Sequence, residues 1–158
     1  MSYRVTFVCT GNICRSPMAE HIFRRCAEDD GLDVEVDSSG TGHWHVGDAA
    51  DERTVATLRR AGYRSSHRAR QFEAGWFDRY DLIIALDQGH QADLHRMAPD
   101  GEARGKVRRL REFDPEARDL DVADPYYGRA SGFEEVREQI EAAVPGLIDH
   151  IRRAMKDR

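Results

Sequence analysis

The chain has 158 residues, 40% of them hydrophobic and 34% charged, with a formal net charge of −5. That length suits one domain, 1–158, burying roughly 70% of its unfolded surface, and the acidic balance argues against nucleic-acid binding. No apolar segment approaches the ~20 residues that span a bilayer, no signal-peptide core follows the N-terminus, and three cysteines do not make a disulfide framework, so a cytoplasmic protein with no membrane partner is expected.

In chain order, Tyr3 to Val8 is short, β-branched and aromatic, the pattern of a buried strand. A tight loop, Cys9-Thr10-Gly11-Asn12-Ile13-Cys14-Arg15-Ser16, leads to Pro17, which suits a first helical turn because it lacks an N–H. Met18, Ala19, Ile22, Phe23, Cys26 and Ala27 then recur at helical spacing, and Gly31 supplies a stop. Val34 to Asp37 alternates as a half-exposed strand, and a loop is expected from Ser38 to Gly47. Asp48 or Asp51 caps a helix that holds Val55 and Leu58 and ends at Gly62. Residues 65–71 read as irregular and 72–77 as a short helical turn.

Leu82 to Leu86 is a continuous apolar run of the kind found in parallel strands covered on both faces. Asp87 ends it, a helix follows over 89–97, Pro99-Asp100-Gly101 reads as a turn, and Lys106 to Leu110 is a weaker fourth strand. After a turn-rich stretch over 113–128, Phe133, Val136, Ile140, Val144, Leu147, Ile148 and Ile151 mark one face of a long helix. Pro145 is expected to kink or restart it. Strands alternating with helices argue for an α/β domain: a four-stranded parallel sheet flanked by helices on both faces. Ligands in such folds bind beyond the carboxyl ends of strands, where the Cys9 loop lies.

The loop puts a thiol beneath a helix N-terminus, whose amides and dipole favour an anion, and Arg15 adds a forked donor suited to phosphate. A nucleotide P-loop is excluded because no Gly-Lys-Ser/Thr ending is present. A merely buried cysteine leaves Arg15 and Ser16 unexplained at this spacing. Nucleophilic work asks for the thiolate, the form that helix N-termini and cations stabilise. Its attack on phosphorus would leave a phosphocysteine intermediate. The loop holds no proton donor for a leaving oxygen. Asp124, in Asp124-Pro125-Tyr126-Tyr127-Gly128, is the best candidate, with two tyrosines as flat surfaces for an aromatic group. No metal is expected: Cys9, Cys14 and His21 match no zinc spacing, and His43, His45, His90 and His95 read as surface histidines. Arg108, Arg109 and Arg111 are candidates for attracting an anionic substrate.

These two motifs together, the loop from Cys9 to Glu20 and Asp124 to Gly128, resemble the low-molecular-weight protein tyrosine phosphatase family along the whole chain. The resemblance implies Cys9 as nucleophile, Arg15 as phosphate clamp and Asp124 as general acid, then base. Thr10, Gly11, Asn12, Ile13, Cys14 and Ser16 would form the phosphate-binding loop, Glu20, Ser38 and His67 a supporting network, and Trp44, Tyr126 and Tyr127 the aromatic walls. It implies no cofactor, phosphotyrosine proteins or peptides as substrates, and a tyrosine kinase partner acting on Tyr126 or Tyr127. It also implies a protective Cys9–Cys14 disulfide on oxidation. A monomer is expected. Ser39 stands where the family usually has alanine. The resemblance also places Glu20, one turn past Ser16, near His67, which leads to the expectation of an ion pair that raises the pKa of His67. Thiol-coupled arsenate reductase is the first rival, and no cysteine follows Cys26 to serve its cycle. Arginine phosphatase is the second, and Ile13 favours an aryl phosphate over it. A non-catalytic phosphotyrosine-binding module would lack Cys9 or Asp124.

Overall fold

The computed structural model describes residues 2–129 and 131–158. Alternating side chains on the strands divide the core into two layers. Val5, Phe7 and Cys9 of β1 (Tyr3–Cys9), with Leu82 and Ile84 of β3 (Leu82–Ala85), face one cluster, and Val8, Ile83 and Ala85 face the other. Two helices cover the first face: α1 (Arg15–Asp29) through Met18, Ile22 and Phe23, and α5 (Ser131–Asp157) through Val136, Ile140 and Leu147. Between them α2 (Glu52–Arg60) contributes Leu58. The second face is covered by α3 (Gln88–Met97), α4 (Gly101–Gly105) and a 3-10 turn, Ala74–Arg79, through Leu94, Ala103 and Phe77.

With β2 (Val34–Gly40) and β4 (Val107–Arg109), the sheet is parallel throughout, in the order β2-β1-β3-β4. The chain leaves β1 toward one edge and returns to build the other side, so the order reverses between β1 and β3. In open α/β sheets the crevice at that reversal, beyond the carboxyl ends, is where ligands bind. Cys9 is the last residue of β1, and Asp87 follows the end of β3. The expected α/β class, four parallel strands and helices on both faces are all present.

Three local readings need correction or sharpening. β2 runs on to Gly40, three residues into the stretch expected as loop, because Ser39 and Gly40 continue the pairing against Val8 and Cys9. A side chain at Gly40 would put its Cβ 2.5 Å from the Thr10 carbonyl, so glycine lets the Cys9 loop rest on the strand end. Pro145 does not restart the C-terminal helix, which continues through it. The bond lost there costs about 3 kcal/mol, and buried apolar residues on both sides, from Phe133 to Ile151, outweigh it. Of the two candidate caps, Asp51 caps α2, accepting from the Arg53 amide at 2.8 Å. Among the described residues no helix is long and apolar enough to cross a membrane.

Candidate active site

Helices α2, α3 and α4 each begin on an aspartate that accepts a backbone N–H, but α1 begins at Cys14 with no side-chain cap and no acid in its first turn. Its N-terminal end therefore keeps its positive character and its donors for the loop from Cys9 to Ser16. Asn12 turns that loop with φ of +57°, a left-handed conformation that asparagine tolerates better than most residues. Its side chain, fully buried, then wires the loop to the scaffold. Nδ2 donates to Ser16 Oγ at 2.8 Å and to Ser38 Oγ at 3.0 Å, and Oδ1 accepts from the Arg70 amide at 2.9 Å. Ser16 Oγ lies 2.9 Å from Cys9 Sγ, so its hydroxyl proton is within reach of the sulfur. Ser38 donates onward to Glu20 Oε1 at 2.6 Å, and Glu20 also holds Arg24.

The supporting residues Glu20, Ser38 and His67 thus lie behind the loop, but the expected Glu20–His67 ion pair does not form and the His67 pKa moves down, not up. Glu20 is engaged by Ser38 and Arg24, while His67 Nε2 donates to the Asn12 carbonyl at 2.6 Å. Burial pushes the His67 pKa down; the Asn12 carbonyl and the more distant Glu20 charge pull the other way without prevailing. The ring is a neutral prop for the loop backbone.

Arg15 is only 4% exposed and is held from two sides. Its Nη1 donates to Asp87 Oδ2 at 2.8 Å and to the Val122 carbonyl at 3.0 Å. Its Nη2 lies 3.5 Å from His90 Nε2 and 3.6 Å from Asp124 Oδ2. His90 is not a surface residue, as expected from sequence, but 3% exposed. Its Nε2 is 2.8 Å from Thr10 Oγ1, and its Nδ1 lies 3.2 Å from Asp87 Oδ1 without the alignment of a hydrogen bond. With donors of both Thr10 and Arg15 directed at Nε2, the ring fits best as an acceptor there, its proton on Nδ1. Burial pushes its pKa down to about 4 against the opposing pull of Asp87, so it is neutral at pH 7. For Asp87, burial disfavours the charge, but the His90 amide and ring and the Arg15 guanidinium outweigh it and hold the carboxyl below its usual range.

In front of the loop a cleft of about 350 Å³ brings together Cys9, Thr10, Gly11, Ile13, Cys14, Arg15 and Asp124, with Trp44, His45, Tyr126 and Tyr127 as walls. Trp44 stacks on His43 at 5.2 Å, and the two tyrosines meet edge to face at 4.9 Å. The pocket thus unites every expected loop and wall residue except Asn12 and Ser16, which lie beneath the floor. Arg108, Arg109 and Arg111 do not join it; Arg108 pairs with Glu112, and Arg109 and Arg111 bind Asp121. Both loop thiols are free and buried, and burial, with Asp51 and Cys9 nearby, pushes the Cys14 pKa up to about 12.

Sequence reasoning missed Asp87, His90 and His45 as parts of this constellation, and Arg53, which stands outside the cleft and donates to the Tyr126 carbonyl. Asp87 was open to discovery, since it follows the strand end that flanks the crevice. The contacts of Arg53 and His90 cross 73 and 80 residues and left no mark in local spacing.

A doubly wound α/β fold with a thiol at the base of a strand-to-helix anion cradle fits the class of phosphoric monoester hydrolases. Within that class the chain belongs to the low molecular weight phosphotyrosine protein phosphatase family, whose model matches residues 4–157. It is 55% identical over 162 residues to a low molecular weight protein-tyrosine-phosphatase of Streptomyces coelicolor, covering 100% of this chain and 99% of that one. It is 50% identical to low molecular weight protein-tyrosine phosphatase A of Mycobacterium tuberculosis, over 93% of this chain and 90% of the relative. Among solved structures, a protein tyrosine phosphatase from Entamoeba histolytica, with Hepes in its active site, superposes with a TM-score of 0.93 at 31% identity. That match covers 98% of this chain and 99% of the other.

Proposed function

We propose that this chain hydrolyses phosphotyrosine in proteins or peptides through a phosphocysteine intermediate. The observation that carries this reading is one cleft lined at once by Cys9, Arg15 and Asp124 and walled by Trp44, Tyr126 and Tyr127. The Cys9 thiolate attacks phosphorus; the S–P bond forms as the P–O bond to the tyrosine breaks, and the Asp124 carboxylic acid gives its proton to the departing oxygen. The Asp124 carboxylate then takes a proton from water, whose oxygen attacks phosphorus and releases inorganic phosphate and the thiolate. Loop amides and Arg15 hold the equatorial oxygens through both transfers. The aromatic walls suit an aryl ester, and the apolar Ile13 lines the same cleft. Tyr127, 93% exposed, is accessible to a tyrosine kinase as partner.

Hydrolysis of p-nitrophenyl phosphate by wild type, Cys9→Ser and Asp124→Ala tests the mechanism. Cys9→Ser is expected to be inactive and Asp124→Ala to lose about 10²–10⁴-fold, the usual worth of a general acid. An active Cys9→Ser protein refutes the phosphocysteine route. Comparison of phosphotyrosine, phosphoserine and phosphoarginine peptides tests the substrate class, with phosphotyrosine preferred.

A further inference from the structure

The segment carrying Asp124 is gripped from behind by a side chain that does not line the cleft. Arg53, in the first turn of α2, donates through Nε and Nη2 to the two oxygens of Asp51, each at 3.0 Å. Its Nη2 also donates to the Tyr126 carbonyl at 3.0 Å. The guanidinium carbon lies 4.5 Å from the Phe133 ring centroid and 5.6 Å from that of Tyr126. Asp51 in turn donates its own amide to the Ile13 carbonyl at 2.8 Å. A short path therefore joins the loop of Cys9 to the loop of Asp124: Ile13, Asp51, Arg53, Tyr126.

The far end of this path reaches the acid directly. Asp124 Oδ1 accepts the Tyr126 amide at 3.1 Å, so the carboxylate and the Tyr126 backbone form one turn. What fixes Tyr126 fixes the direction in which Asp124 points. Asp124 itself is 55% exposed at its side chain and meets the cleft's cation, Arg15, only at 3.6 Å. A carboxylate so loosely held needs an anchor to meet a leaving oxygen, because a misplacement of ~1 Å can cost about 10²-fold in rate.

We propose that Arg53 is a positioning residue for the general acid, its fork setting the Asp124 turn at a fixed distance from the phosphate loop. This rests on the reading of Asp124 as the proton donor to the leaving group. Arginine is required because one guanidinium spans two carboxylate oxygens and a carbonyl while stacking on rings; an ammonium does not.

The test uses kcat/KM, which reports the first phosphoryl transfer, on phenyl phosphate and p-nitrophenyl phosphate. Phenolate is the poorer leaving group and depends more on proton donation. Arg53→Met is expected to lower kcat/KM for phenyl phosphate at least ~10-fold more than for p-nitrophenyl phosphate. Inhibition by inorganic phosphate, which reads the Cys9 loop, is expected to stay unchanged. In an Asp124→Ala background the selective part of the loss is expected to vanish, as it must for residues that act as a unit. Arg53→Lys, which keeps the charge beside Asp51, is expected to show the same selectivity in smaller measure and serves if the methionine variant does not fold. Equal losses on the two esters, or selectivity undiminished without Asp124, overturn the assignment while leaving the phosphatase reading in place. Wild type that hydrolyses neither ester overturns both.

Discussion

His90 offers the most quantitative test of the site's electrostatics. Replacing it with asparagine keeps a polar side chain next to Thr10 and removes the titration. In the folded protein its pKa lies at about 4; the unfolded value is near 6.5. The unfolded chain thus binds more protons between those values, and stability falls as pH drops through that window. Full stability is present above 6.5, and the loss is complete below 4. Integrating the linkage from pH 7.5 to 5 assigns this one ring about 2 kcal/mol of destabilisation. For a chain of this size that is about 4–8 °C in Tm. Other histidines with lowered values, His67 and His150, contribute in the same direction to both proteins and cancel in the difference. Asp87, held below the usual carboxylate range, titrates beneath the window. Thermal or urea unfolding at pH 7.5, 6.5, 5.5 and 5 measures it. Wild type is expected to lose about 2 kcal/mol more than His90→Asn across the series. Parallel curves for the two proteins would refute a ring kept neutral by burial.

Ser39 is fully buried, and its hydroxyl finds no hydrogen-bond partner among the described residues, so Ser39→Ala is expected to stabilise the fold by about 1 kcal/mol in urea unfolding. A loss of stability would reveal a role for that hydroxyl. Gly40→Ala forces a Cβ to within 2.5 Å of the Thr10 carbonyl and 3.0 Å of the Asn12 amide. It is expected to abolish p-nitrophenyl phosphate hydrolysis or to raise KM sharply, and activity equal to wild type would show that the loop rests on the strand less tightly. Oxidation of Cys9 to a sulfenic acid is expected to be followed by condensation with the Cys14 thiol, releasing water. Peroxide-treated wild type should then recover with dithiothreitol and Cys14→Ala should not; equal recovery excludes the role.

The sequence displayed the frame because the frame is local. Leu82 to Ala85 is apolar at every position since β3 is covered on both faces, and Gly31 and Gly62 follow the two helices they end. The cleft residues were legible because cysteine, arginine and an Asp-Pro-Tyr-Tyr turn are chemically loud. What could not be read was which polar groups meet. The resemblance put Glu20 beside His67, yet a buried serine intercepts the carboxylate and a carbonyl takes the imidazole. His90 looked like surface because α3 is mostly polar, whereas its ring turns inward to Thr10. Pro145 looked like a break because helix rules count hydrogen bonds and not the apolar face packed on either side.

The order β2-β1-β3-β4 has one further consequence. Asn12, Ser16, Ser38 and Asp87 bind the cradle to adjacent strand ends, whereas Trp44 and Tyr127 ride on connecting loops and stand 71% and 93% exposed. The residues proposed to handle the phosphate and those proposed to meet the rest of the substrate thus sit on structurally separate parts of the fold. Changes in the exposed outer loops meet few neighbours and so can alter which proteins dock, while the buried inner frame, as at Gly40, leaves little room for change.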